Sequence, residues 1–102
     1  MYNKTDKRRL YQLMDMYLTD FITASVFCDE FYYSYDLGID NNTLTNIEKL
    51  VFSDLSKVSS RFSEYEEDHK LDSRAFTTAK ELREKIIETR EKLESENPID
   101  YL

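Results

Sequence analysis

Chain breakers, metal ligands and positive charge are all scarce in this chain of 102 residues. With one glycine, Gly38, and one proline, Pro98, it has almost none of the turn chemistry that hairpins need, which argues against a β-sheet architecture. A single cysteine, Cys28, cannot form an internal disulfide, and its place among aromatics at helical spacing is that of a small buried hydrophobe. The cytoplasm is the compartment this implies. One histidine, His69, and one cysteine do not supply the ligand set of a zinc site. A di-iron site in a bundle needs Glu-x-x-His on two helices, and Glu66 with His69 offers that spacing once. No metal or other cofactor is expected. No apolar run approaches a membrane span, and the basic N-terminal stretch MYNKTDKRRLYQL lacks the apolar segment of a signal peptide after it. The chain is expected to be neither embedded nor secreted.

Positive charge is the remaining shortage. Fourteen Lys and Arg face twenty-one Asp and Glu, a formal charge of -7, so the excess positive charge that nucleic-acid binding requires is missing and a basic partner is favoured. Residues 11 to 72 carry four bases against thirteen acids, whereas the first ten residues are net positive and the last thirty nearly balanced. The acid therefore sits in the middle of the chain.

What is present is helical periodicity. Apolar residues recur at steps of three and four, and the length suits one domain over residues 1–102. The spacing predicts a first helix from an N-cap near Thr5 to about Asp20, with Leu10, Leu13, Met14, Tyr17 and Phe21 on one face. Thr23 or Ser25 caps a second helix carrying Ala24, Phe27, Cys28, Phe31 and Tyr35 inward, closed by Gly38 in the left-handed conformation. A third helix starts at Asn42 or at Thr45, where Thr45 and Glu48 have capping-box spacing, and buries Leu44, Ile47, Val51, Leu55, Val58 and Phe62. A polar stretch interrupts the pattern until Asp72 or Ser73 caps a last helix with Phe76, Ala79, Leu82, Ile86 and Leu93 on its apolar stripe. Glu81 with Lys85 and Glu88 with Lys92 stand at favourable spacing on its exposed face. A loosely ordered tail follows from about Ser95. The fold class expected is all-α, an antiparallel four-helix bundle.

Two stretches carry more than core. The segment SEYEEDHKLD, residues 63 to 72, places five carboxylates in ten positions, among them Glu64, Glu66, Glu67 and Asp68 around Tyr65. The segment FCDEFYYSYD, residues 27 to 36, interleaves five aromatics with acids. On a helix with Phe27, Phe31 and Tyr35 inward, Tyr32 and Tyr33 look sideways or outward near Asp29, Glu30 and Asp36. Exposed tyrosines flanked by carboxylates suit an interface with a basic partner. Catalytic chemistry is harder to place. Cys28 points into the predicted core with no histidine near it in sequence, and Arg61 and His69 are separated by seven intervening residues, more than in the Arg-to-His motif of the helical HEPN ribonucleases.

The run YLTDFITASVFCDEFYYSY, then LVFSDLSKVSSRFSEYEED, then ELREKIIE resembles the bacterial self-protective immunity proteins of the colicin D type, which also occur beside toxins of contact-dependent growth inhibition systems. The resemblance spans most of residues 10 to 93. Its more specific elements are Ile22-Thr23-Ala24 leading to Phe27, and Arg61-Phe62-Ser63 with the acids that follow. Two positions depart from the family pattern: Glu64 stands where proline is common, and Ser63 replaces an acid. The resemblance implies a small acidic helical bundle without enzymatic activity. Such a protein binds and blocks the active site of a cytoplasm-acting toxin nuclease, often one that cuts tRNA. It makes Glu64, Glu66, Glu67 and Asp68 the inhibitory acids; Tyr65 among them, and Asp29, Glu30, Tyr33 and Asp36 from the aromatic segment, are the further partner-binding candidates. An acidic helical adaptor, and a helical-bundle ribonuclease using Arg61 and His69, are the competing readings.

Overall fold

Helix α1, Arg8–Leu18, begins where Asp6 turns the chain. The Asp6 carboxylate accepts the Arg8 backbone N–H at 3.0 Å and the Arg8 guanidinium at 2.7 Å, satisfying a donor that a helix start would otherwise leave open. Those bonds from Arg8 hold the Asp6 carboxyl below its ordinary pKa. Thr5 is not the cap: its hydroxyl and N–H both donate to the Asn3 side chain. The other end closes with Asp20 at φ 61°, the Asp20 N–H on the Tyr17 carbonyl and the Phe21 N–H on the Met16 carbonyl. This is a Schellman closure with aspartate where glycine is usual. It turns the chain before Phe21 can extend the apolar stripe. Phe21 is accordingly 76% exposed and not in the core.

The computed structural model describes residues 2–63, 65, 70–71 and 75–96, and within them the chain is helical, with no strand beyond one isolated bridge. Helix α2, Ala24–Tyr35, takes Thr23 as its cap, the hydroxyl accepting the Val26 N–H at 3.2 Å. It ends near Gly38, whose N–H bonds the Ser34 carbonyl. Gly38 does not adopt the left-handed conformation, since no glycine has positive φ. Its requirement is steric: a Cβ there would lie 2.4 Å from the Lys4 carbonyl oxygen and 3.1 Å from that of Ser34. The N-terminal segment crosses against the end of α2 at this point, and only glycine leaves it room.

A short 3-10 turn at Asn41–Thr43, initiated by the Asp40 carboxylate on the Asn42 N–H, leads to helix α3, Asn46–Ser60. Thr45 and Glu48 form the complete capping box. Helix α4, Ala79–Glu96, starts later than the periodicity predicts. Asp72 and Ser73, the expected caps, lie outside the described residues. Thr77 is held in a parallel bridge with Phe62, donating its N–H to the Arg61 carbonyl and accepting from Ser63. That backbone is unavailable to a helix, and Thr78 opens α4 instead through reciprocal bonds with Glu81. Ser95 belongs to α4, and the predicted tail beyond Glu96 lies outside the described residues.

The helices pack in a cycle, α1 on α2, α2 on α3, α3 on α4 and α4 on α1. Leu10, Leu13 and Met14 meet Phe27, Phe31, Val51, Phe52, Leu55, Leu82, Ile86 and Leu93 in one fully buried cluster. Ring contacts run through it from Tyr17 to Phe27, Phe31, Phe52 and Tyr11, with centroids 5.5 to 6.2 Å apart. Polar ties fix the helices at two further places. Glu48, only 4% exposed, accepts from the Tyr11 hydroxyl and from Lys7 Nζ at 3.0 Å, joining α1 to the first turn of α3. Burial is the strongest influence on its carboxyl and raises the pKa, but the Thr45 N–H, Tyr11 and Lys7 together outweigh it and hold the value below normal. At the other end, Arg83 of α4 donates to the Leu18 carbonyl at 2.9 Å, filling an open acceptor of α1.

Candidate functional site

Helix α2 buries one side of itself and leaves two stripes outside. Val26, Glu30, Tyr33 and Leu37 follow one another at steps of four, three and four, and Ser25, Asp29, Tyr32 and Asp36 repeat the same steps one residue earlier. On the first stripe Val26, Tyr33 and Leu37 are exposed, an apolar row that a helix with only one partner-facing side does not need. Tyr33 is 49% and Tyr32 50% exposed, and their rings meet edge to face with centroids 5.9 Å apart. Two large rings with little rotamer freedom are thus braced against each other at the surface.

The charge around these stripes has one sign. Residues 10 to 48 contain seven acids and no lysine or arginine. Four of these acids are met by cations from outside the segment: Glu30 by Arg9 at 3.5 Å, Glu48 by Lys7, Asp15 by Arg90 and Asp20 by Arg83. Among the described residues Asp29 and Asp36 have no ion-pair partner, and both are exposed. With Asp29 and Asp36 left without an ion-pair partner, this face keeps negative charge that attracts positive charge.

Where α2 passes the end of α3, a groove of about 610 Å³ opens, lined by Ser25, Cys28, Asp29, Tyr32, Ser59, Ser60, Phe62, Ser63, Tyr65 and Phe76. It brings Asp29 and Tyr65 into one site, Tyr65 being 63% exposed. Glu30 and Tyr33 belong to the neighbouring stripe, and Asp36 is the C-terminal cap of α2. Glu64, Glu66, Glu67 and Asp68 lie outside the described residues, as does His69 of the ribonuclease reading. Arg61, its proposed companion, is the C-cap of α3 and gives its carbonyl to the Thr77 N–H. Cys28, half-buried at the groove, has its thiol pushed up to about 12 by burial, assisted by Asp29. Among the described residues no group of three or more His, Cys, Asp and Glu could hold a metal, and no helix is long and apolar enough to cross a membrane.

A second groove of about 550 Å³ separates α3 from α4, but Arg61 and Lys85 line it together with Glu81, Glu84 and Glu88. Lys85 pairs there with Glu88 at 2.7 Å, and the three acids outnumber the two bases by one. The serine-rich wall of the first groove, Val26 on α2 and Leu37 just beyond its end escape a reading based on acids and tyrosines alone. The i, i+7, i+11 spacing of Val26, Tyr33 and Leu37 is the signal that could have found the apolar row. No family model, no curated protein and no solved structure matches this chain.

Proposed function

We propose that the protein is an immunity protein of the colicin D type, one that binds a cognate toxin nuclease, a tRNA-cleaving ribonuclease, and covers its basic active site. The observation that carries the proposal is the outer face of α2: exposed Tyr32 and Tyr33, the apolar row of Val26 and Leu37, and the unpaired carboxylates of Asp29 and Asp36. A ribonuclease must display Lys and Arg around the phosphates of its substrate, so an acidic aromatic surface is complementary to it and hostile to RNA itself. The reading takes the helical cycle as an antiparallel four-helix bundle working in the cytoplasm, with no cofactor, and assigns Glu64, Tyr65, Glu66, Glu67 and Asp68 to the same interface. Long-range attraction serves this task, because an entering toxin must be captured before it turns over.

The experiment is co-expression with the product of the gene directly upstream. Under this reading, that product carries a basic C-terminal domain, co-purifies with the protein in a stoichiometric complex, and kills cells only when the protein is absent. Failure of the purified domain to bind, or killing that the protein does not relieve, would remove the proposal in favour of the adaptor reading.

A further inference from the structure

We infer that the groove between α2 and the last turn of α3 receives an arginine side chain of a protein partner, its guanidinium over the Tyr32 ring and paired with the Asp29 carboxylate. The inference rests on the partner-binding reading above and specifies what the partner must present. Among the described residues lining the groove Asp29 is the only charged one, so a cation entering there meets one full countercharge. The wall opposite in sequence is the C-terminal turn of α3, and the negative end of a helix dipole favours a cation.

The hydroxyls there point the same way. Ser59 Oγ donates to the Ser56 carbonyl at 3.2 Å, and Ser60 Oγ donates to the Lys57 carbonyl at 3.1 Å. With their protons directed into the helix, both oxygens have only lone pairs left to offer a ligand. The groove therefore combines a carboxylate, hydroxyl acceptors and the exposed rings of Tyr32 and Tyr65. Among cations, a guanidinium matches best, because it is planar, stacks on aromatic faces and carries five N–H donors, whereas an ammonium is a compact point charge with a stronger hold on its water.

The test is titration of the full-length, isotope-labelled protein with N-acetyl-arginine amide, N-acetyl-lysine amide and the uncharged N-acetyl-citrulline amide, followed by backbone amide shifts. Expected are saturable shifts at Asp29, Tyr32, Ser59 and Ser60 with the arginine compound, at least fivefold weaker binding of the lysine compound, and none of the citrulline compound. Asp29→Asn should weaken arginine binding at least fivefold at an unchanged melting temperature, and Tyr32→Leu at least threefold. Equal binding of citrulline, equal binding of lysine, an Asp29→Asn titration like wild type, or shifts spread evenly over distant carboxylates such as Glu84 and Glu91 would each overturn the inference. If the arginine compound fails while the toxin domain is still captured, the groove assignment alone is lost. If the arginine compound binds as expected while no toxin domain is captured, the immunity reading fails and the groove's preference stands.

Discussion

Exchanging Glu48 for glutamine should cost the protein about 2 kcal/mol at pH 7, because the charged acceptor joining α1 to α3 becomes a neutral one. The wild-type carboxylate takes three donors: the Thr45 N–H at 2.8 Å, Lys7 Nζ at 3.0 Å and the Tyr11 hydroxyl. Hydrogen bonds to a charged group stabilise by roughly 1 kcal/mol more than neutral ones. The Thr45 and Tyr11 bonds supply most of the difference, since Lys7 keeps a third of its side chain in water and its share is screened. Glutamine also turns one acceptor into a donor that faces groups which themselves donate. The pH dependence follows from the lowered pKa. A depressed carboxyl stabilises the fold above its unfolded-state value, near 4.5, and loses that contribution as pH falls through the folded value below it. Glutamine cannot titrate. Urea unfolding of both proteins at pH 7 and at about pH 3 should therefore show a gap that is largest at neutral pH and narrows in acid, with equal denaturant slopes. A gap below about 0.5 kcal/mol at pH 7, or one that widens as pH falls, would refute the assignment of Glu48 as a charged tie.

Phe31→Ala and Leu55→Ala each remove a fully buried side chain and should lower stability by roughly 3 kcal/mol in urea titrations. Tyr33→Ala should leave the melting temperature nearly unchanged, as Tyr33 is half exposed, while weakening capture of the toxin domain in calorimetry. Gly38→Ala sets a methyl 2.4 Å from the Lys4 carbonyl and should destabilise by about 2 kcal/mol, judged against known overpacking costs. Asp20→Gly, which relieves the left-handed aspartate, should raise stability by up to about 1 kcal/mol, measured in the same way.

Local chemistry explains which elements could be read from the chain alone. The caps at Thr23 and Thr45 depend on residues three positions away, and the inward positions Phe27, Phe31, Leu55, Leu82, Ile86 and Leu93 follow from helical period alone. What escaped that reading depends on contacts distant in sequence. Gly38 is fixed by Lys4, the start of α4 by pairing of Thr77 with Phe62, and the burial of Glu48 by a hydroxyl 37 residues away. Phe52, adjacent to Val51, was hidden because the α3 core face is wide enough to bury both. The site divides the same way. Outward placement of Asp29, Tyr33 and Asp36 is a property of one helix, whereas the groove exists only where α2 meets the end of α3.

The most direct test of the proposed capture mechanism is the association rate with the upstream gene's basic toxin domain, measured by stopped flow across a range of ionic strength. The partners are wild type and a variant in which Asp29, Asp36, Glu66, Glu67 and Asp68 are replaced by their amides. Wild type should associate fast at low salt and slow steeply as salt rises, while the variant starts slower and responds far less, because screening acts only on charges that are present. Equal rates and equal salt dependence for the two proteins would show that these carboxylates do not bring the toxin in, and would contradict the account at its centre.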